Sequence, residues 1–493
     1  MAARKKAFYI LPGAYSMIGI GTIFRRRAGS GGPLPPDYAK WVKEHMVFWY
    51  DISKPADVYT QNFNDWQNYN PNSVSITNNK IVVNGLIDNF RIASIGKETE
   101  SFSVFIEGLG DKNLVYRVKL DENSDQITNI KLKDGENVLP HSFATTVAFM
   151  GVSGVTDYIG LTITQLPSGQ SVPTNEILKA NPYLQDFSGN NRPLKLNNFL
   201  FAAMSGVGGY DISSTNILPD RANVTVTDNR IIHITKKLST TDNMVNIVPS
   251  NSNPTHKFKV TGLSDGRQVS LVNRNGGFYT FDNGEHEVTL TYPEGTTSLY
   301  NAIGVTGDIG DMDVTIEFLP KYPNSLVTDG ADDYGVVENF KSLQNYMIFF
   351  QCAIIRPNAV NGMFSTTPIE NDNNVRGWML LQGNFVNSVR FGNSRYKNFE
   401  FTSSVKDKIS YVLSANNELM TCYVGEEKAT LAGTYRQTGA NMSLFLSEAR
   451  GKTRFGSMAF YKSILFDSVP TKETDGFTEQ ELIDYVLKNI ITQ

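Results

Sequence analysis

"SVSITNNKIVVNG" (Ser73–Gly85) and "NVTVTDNRIIHIT" (Asn223–Thr235) lie 150 residues apart and read as one pattern. In each, apolar and polar residues alternate, break at an Asn-Asn or Asp-Asn pair, and resume. Alternation around such a turn predicts a β-hairpin. Two more pairs follow in the same order. "FIEGLGDKNLVYRVKL" (Phe105–Leu120) matches "KVTGLSDGRQVSLVNR" (Lys259–Arg274), and "GVSGVTDYIGLTITQLP" (Gly151–Pro167) matches "GVTGDIGDMDVTIEFLP" (Gly304–Pro320). Even the entry "YDIS" recurs, at Tyr50–Ser53 and Tyr210–Ser213. Matched blocks at nearly constant offset mark a duplicated domain. Each copy reads as seven or eight short strands joined by Gly, Asn and Asp turns, the pattern of a β-sandwich. The copies share turns and core positions but no charged or histidine cluster, so the duplication reads as a spacer or binding module.

The bulk numbers agree with an all-β chain. At 493 residues it is too long for one core. Aromatics make up 11%, Phe and Tyr dominating, and short Val/Ile/Thr alternations recur. Two cysteines, Cys352 and Cys422, cannot form a disulfide framework and read as buried thiols of one domain. The predicted layout is an N-terminal arm with a short helix (1–49), a first sandwich (50–170), a connecting segment (171–209), a second sandwich (210–322) and a C-terminal domain (323–493). In the connecting segment Thr174 or Asn175 can cap a short helix ending at Asn181, because Pro182 disfavours helix before it.

The N-terminus differs from the body. An apolar run, Ala7–Phe24, sits between Arg4-Lys5-Lys6 and Arg25-Arg26-Arg27. The first 46 residues carry eight Lys or Arg against two acids, a net +6; with −4 overall, the remainder carries −10. A membrane helix needs about 20 apolar residues, and Pro12, Gly13, Gly19 and Gly21 weaken a helix here. Basic clusters at both ends give no orientation bias, and no A-x-A cleavage site follows. The run therefore reads as a docking arm, with Ile20 and Phe24 burying against partner subunits and Arg25, Arg26 and Arg27 meeting acidic patches. The acidic body offers no basic stripe for nucleic acid. After the Gly29–Pro33 linker, "PPDYAKWVKEHMVFWY" reads as a short helix whose Trp41, Val42 and Met46 form a sticky face for pairing identical chains.

Chemistry is sparse. The five histidines (His45, His141, His233, His256, His286) show no zinc spacing, and neither a nucleophile elbow nor a phosphate loop appears. No cofactor or metal is predicted and no enzyme is expected. "DGADDY" (Asp329–Tyr334) reads as a turn whose carboxylates accept backbone amides, with an oxygen-ligand cation site as the other reading. "GEEK" (Gly425–Lys428) reads as a solvated hairpin turn rather than a glycosidase carboxylate pair. Trp378, Tyr396 and Tyr435 are candidates for stacking against a sugar ring.

From Leu326 the strands lengthen and become more aromatic. "LVTDGADDYGVVENF", "ELMTCYVGEEK", "FGSMAFYKSILFD" and "FTEQELIDYVL" occur in the order seen in laminin-G-like, concanavalin-A-like jelly rolls, which this region resembles. Thr478 and Glu481 form a capping box for a terminal helix with Leu482, Val486 and Ile490 on one face. The upstream "NPYLQDFSGNNRPLKLNNF" looks like the D-x-SGN lead-in of such domains, displaced by the second repeat. With the basic arm and tandem sandwiches, the whole resembles virion proteins of crAss-like (Bacteroides-type) phages. That resemblance implies a structural protein at the virion surface, a head fibre decorating the capsid. Its partners would be capsid or tail proteins, its oligomer a homotrimer, its ligands glycans. A tail fibre or a bacterial surface glycan-binding protein are the alternatives.

Overall fold

The computed structural model describes residues 37–492, apart from 218–222, 238–244, 250–254, 291–300, 357–360, 367–378, 383–387, 393–396, 401–407, 433–441, 449–452 and shorter stretches. The residues expected to anchor the arm, Ile20, Phe24, Arg25, Arg26 and Arg27, lie outside the described residues, as do Trp378, Tyr396 and Tyr435.

The duplication is visible strand for strand. In the first copy one sheet runs Gly135–Leu139, Phe102–Glu107, Thr162–Gln165, Lys80–Val83, Val74–Ile76. In the second the order is Gly284–Thr289, Thr255–Thr261, Gly310–Phe318, Ile231–Lys237, Val224–Thr227. The other sheets correspond in the same way: Gln67–Asn68, Arg91–Ile95, Val147–Met150, Val115–Val118, Thr128–Lys131 against Ile212–Ile217, Val245–Pro249, Asn301–Thr306, Gln268–Asn273, Phe278–Phe281. Among the described residues the two sheets of each copy thus hold ten strands, more than the seven or eight expected. The sequence pattern passes over short polar strands such as Thr128–Lys131, which has no buried residue to mark it. Each sandwich closes over its own apolar core, including Ile81, Tyr116 and Phe149 in the first copy and Ile232, Phe258 and Ile316 in the second.

The other unit is assembled from three separate pieces of chain: the described residues up to Asp51, Gln185–Lys195, and Thr328 onward. Its central strand, Ser457–Phe466, is buried at all ten positions and pairs with Tyr346–Ile354, buried at all nine. Runs apolar on both faces require cover on both. The same sheet continues through Ile409–Ala415, Leu419–Val424 and Glu427–Ala432. A second sheet runs Tyr334–Val337, Met442–Leu444, Asn361–Ser365, Met379–Gln382, Ser388–Gly392, Lys397–Glu400.

The N-terminal piece corrects one expectation. Asp37 caps a helix, Tyr38–His45, and the chain passes directly into strand Met46–Asp51, which pairs with Ser457–Phe466. Trp41, Val42 and Met46, expected to face identical chains, are at most 8% exposed. They pack with Phe466, Phe477, Leu482 and Val486 of this same unit, and Trp41 Nε1 donates to Asp475 Oδ1 at 3.1 Å. The sticky face is covered intramolecularly, because the sheet face beneath it needs helical cover.

The Asp186 turn fastens this arrangement. Its carboxylate accepts from the backbone N–H of Trp49 (2.9 Å), Ser188 (2.9 Å) and Arg192 (3.0 Å), and from the Ser188 hydroxyl (2.8 Å). Asn190 Nδ2 donates to the Met46 carbonyl at 2.6 Å, and the Tyr50 hydroxyl to that of Arg192 at 2.6 Å. On the same strand Asp51 pairs with Lys462 of the central strand at 3.2 Å, both side chains at most 6% exposed.

Both helices foreseen from caps form. Thr174 caps Asn175–Ala180, and Thr478 with Glu481 makes the capping box of Glu479–Val486. Leu482 and Val486 are buried, but the last apolar contact shifts to Ile491 while Ile490 is only partly buried. The cause is a π-turn over Leu487–Ile491, which adds a residue and rotates the face.

Removing one member of a buried ion pair leaves an unpaired charge and costs about 3–5 kcal/mol, whereas replacing both by apolar residues is often neutral. Lys462→Met alone should therefore lower the denaturant midpoint strongly, and Asp51→Leu with Lys462→Met should restore most of it. Urea titration followed by tryptophan fluorescence reads both.

Candidate functional site

A cavity of about 320 Å³ opens on the second sandwich. Its walls come from the entry segment, Tyr210 and Ile212, the exit segment, Phe318 to Tyr322, and the paired strands Thr255–Thr261 and Gly284–Thr289.

Glycine brings entry and exit together. In "SGVGGYDI", Gly208 and Gly209 take φ +81° and +58°, and a Cβ on Gly208 would sit 2.6 Å from Pro320 Cβ. The close approach allows Lys321 N–H to donate to the Gly209 carbonyl (2.9 Å) and Tyr322 N–H to that of Gly208 (2.8 Å). Tyr210 and Tyr322, both half-buried, thereby come to line one cavity. The Arg230 guanidinium lies 5.8 Å from the Tyr210 ring centroid and bonds Glu317 at 3.1 Å, which fixes that ring.

The rim is charged, carrying Lys257, Lys321 and Glu287. Lys257 pairs with Glu287 at 3.0 Å, directly opposite it across the strands. Glu287 is the one carboxylate among the described lining residues, whereas glycoside hydrolysis uses two.

At the cavity wall His256 is 2% exposed. Behind it Asn301, fully buried, places Nδ2 3.4 Å from His256 Nε2. The first copy shows what occupies these positions otherwise. Strand Phe102–Glu107 pairs with Gly135–Leu139 so that Phe102 faces Leu139, as His256 faces Val288. Val147 faces Ile95 as Asn301 faces Ile247. An apolar pair, Phe102 and Val147, thus stands in one copy where a polar pair stands in the other. The rim differs too: Ser103 and Val138 replace Lys257 and Glu287.

The residues singled out from sequence for glycan contact, Trp378, Tyr396 and Tyr435, lie outside the described residues. In the sequence His256 stands only as one of five scattered histidines. The signal that could have found it was the repeat itself, aligned position by position for polar residues at core sites.

The "DGADDY" turn matches its turn reading in part. Asp329 N–H donates to Asp333 Oδ2 (3.0 Å) and Ala331 N–H to Asp329 Oδ1 (2.7 Å). The carboxylate oxygens of Asp329, Asp332 and Asp333 lie within 4.8 Å of one another, with Asp333 buried and Asp332 exposed. Backbone amides thus reach the carboxylates of Asp329 and Asp333. Cys352 and Cys422 are buried free thiols of the C-terminal region, and burial raises both pKa values, which keeps them unreactive.

No family model matches the chain, and no curated protein does. Among solved structures, the chain is similar to the CBM40 module of a Ruminococcus gnavus IT-sialidase bound to α2,3-sialyllactose, at 15% identity and TM-score 0.24, over 27% of this chain and 80% of that one. It is also similar to mouse laminin α1 domains LG4-5, at 9% identity and TM-score 0.22, over 54% and 90%. A Trypanosoma rangeli sialidase mutant with trans-sialidase activity gives 10% identity and TM-score 0.26, over 53% of each chain. TM-scores of this size imply no whole-chain likeness.

A residue forced into left-handed backbone costs roughly 1–2 kcal/mol, more with a clash. Gly208→Ala should therefore lower the melting temperature and displace Tyr210 from Tyr322. Calorimetry gives the first effect, and a shift of the Tyr210 ring resonances in aromatic NMR spectra gives the second.

Proposed function

We propose that the chain is a glycan-binding structural protein of a phage particle, a head fibre decorating the capsid and held there by its basic N-terminal arm. The observation that carries the binding half is the cavity of the second sandwich: two tyrosine rings beside Thr255, His256 and a Lys257–Glu287 pair. A sugar offers an apolar ring face and a periphery of hydroxyls, which suits aromatic rings combined with a few fixed polar groups. The volume lies within the range of small-ligand sites.

The virion half is supported by charge and architecture. A net +6 over the first 46 residues against −10 elsewhere suits an arm that meets acidic lattice proteins. Three β-sandwiches in one chain suit a protein that displays binding domains. Many copies on one particle, as homotrimers, would turn weak single-site binding into firm attachment through effective concentration.

Two experiments test the two halves. On a glycan array the full-length protein should retain a subset of glycans, and Tyr322→Ala should weaken that binding about tenfold, the value of one stacking or hydrogen-bonding contact of about 1.4 kcal/mol. Retention of no glycan, or equal retention by the variant, contradicts the binding half. In cosedimentation with capsids, the full chain should pellet and a chain starting at Pro35 should remain in the supernatant. Equal pelleting of both contradicts the arm.

A further inference from the structure

We infer that the buried pair His256–Asn301 is the specificity element of this cavity: His256 bonds a sugar hydroxyl, and Asn301 is the positioning residue that sets the imidazole tautomer. The inference rests on the glycan reading above and adds to it the groups that select the ligand.

Three observations carry it. A buried polar group costs stability unless bonded, and the first copy shows that the same strand positions accept Phe102 and Val147, 5% and 0% exposed. The fold itself therefore does not require polar residues there. Secondly, the two changes are coupled in space, with Asn301 Nδ2 3.4 Å from His256 Nε2. With the amide nitrogen facing the ring, Nε2 accepts and Nδ1 carries the proton, so one neutral tautomer is selected. Thirdly, His256 is among the residues that line the cavity and Asn301, fully buried, is not, which sets His256 nearer the ligand and Asn301 behind it. A hydroxyl both donates and accepts, and a site built to bond it rejects analogues lacking it far more strongly than an apolar wall does.

The test is the double variant His256→Phe with Asn301→Val in the full-length chain, which recreates the first copy's pair. Its melting temperature should equal or exceed that of the natural protein, while its affinity for the array-selected glycan falls at least tenfold. Failure of the double variant to fold would overturn the inference, because the pair would then serve the core. Unchanged affinity would also overturn it, leaving the glycan reading intact. Absence of glycan binding by the natural protein defeats the glycan reading first, and this inference with it. Asn301→Val alone provides the positioning readout. Ring nitrogen-15 NMR should show His256 as the Nδ1–H tautomer in the natural protein and a mixture in the variant. Identical ring spectra would remove Asn301 from the role.

Discussion

The carboxylate of Asp186 gathers four donors from two stretches of chain far apart in sequence, and the C-terminal unit depends on that junction. Three of its bonds tie its own turn, and the fourth holds Trp49. Strand Met46–Asp51 is in turn paired to Ser457–Phe466, near the other end of the chain. Once these pairings are fixed, residues 52–184 and 196–327 are excursions that leave the jelly roll and must return to it. A β-sandwich meets that requirement, since its first and last strands can lie close together. The Gly208–Gly209 crossing to Lys321 and Tyr322 shows such a return within the second copy. The constraint on chain return and the walls of the cavity are thus one structural feature.

Duplication shows which side chains the fold leaves free to differ. Sheet order is identical in the two copies, so the main-chain ladder and most apolar contacts are supplied twice. Against that common frame, differences of side chain stand out as local choices. Phe102 and Val147 fill space; His256 and Asn301 fill nearly the same strand positions and add directed hydrogen bonding. Burial of polar side chains is tolerated where they are hydrogen-bonded, and these two lie within 3.4 Å of each other.

Much of the architecture was legible in the sequence because β-structure with one wet face writes itself as alternation. The hairpins at Val74–Val83 and Val224–Lys237 fall where the Asn-Asn and Asp-Asn turns predict them, and the caps at Thr174 and Thr478 did as well. What escaped reading is non-local. The apolar stripe of Tyr38–His45 looks the same whether a second chain or the protein's own sheet covers it, and only strand pairing decides. The D-x-SGN turn was recognised as displaced, but its bonds to Trp49 and Met46 have no local signature. The π-turn that exchanges Ile490 for Ile491 arises from end packing rather than periodicity. The cavity escaped because its walls come from four segments, each unremarkable alone.

The claim that three separate segments form one cooperative unit is tested most directly by native-state hydrogen exchange of the full-length protein with mass-spectrometric readout. Residues that open together share an exchange free energy. The account predicts that the amides of Phe48, Trp49 and Tyr50 exchange with the free energy and denaturant slope of Ser457–Phe466. Exchange of those amides in step with the first sandwich, while Ser457–Phe466 stays protected, would contradict it.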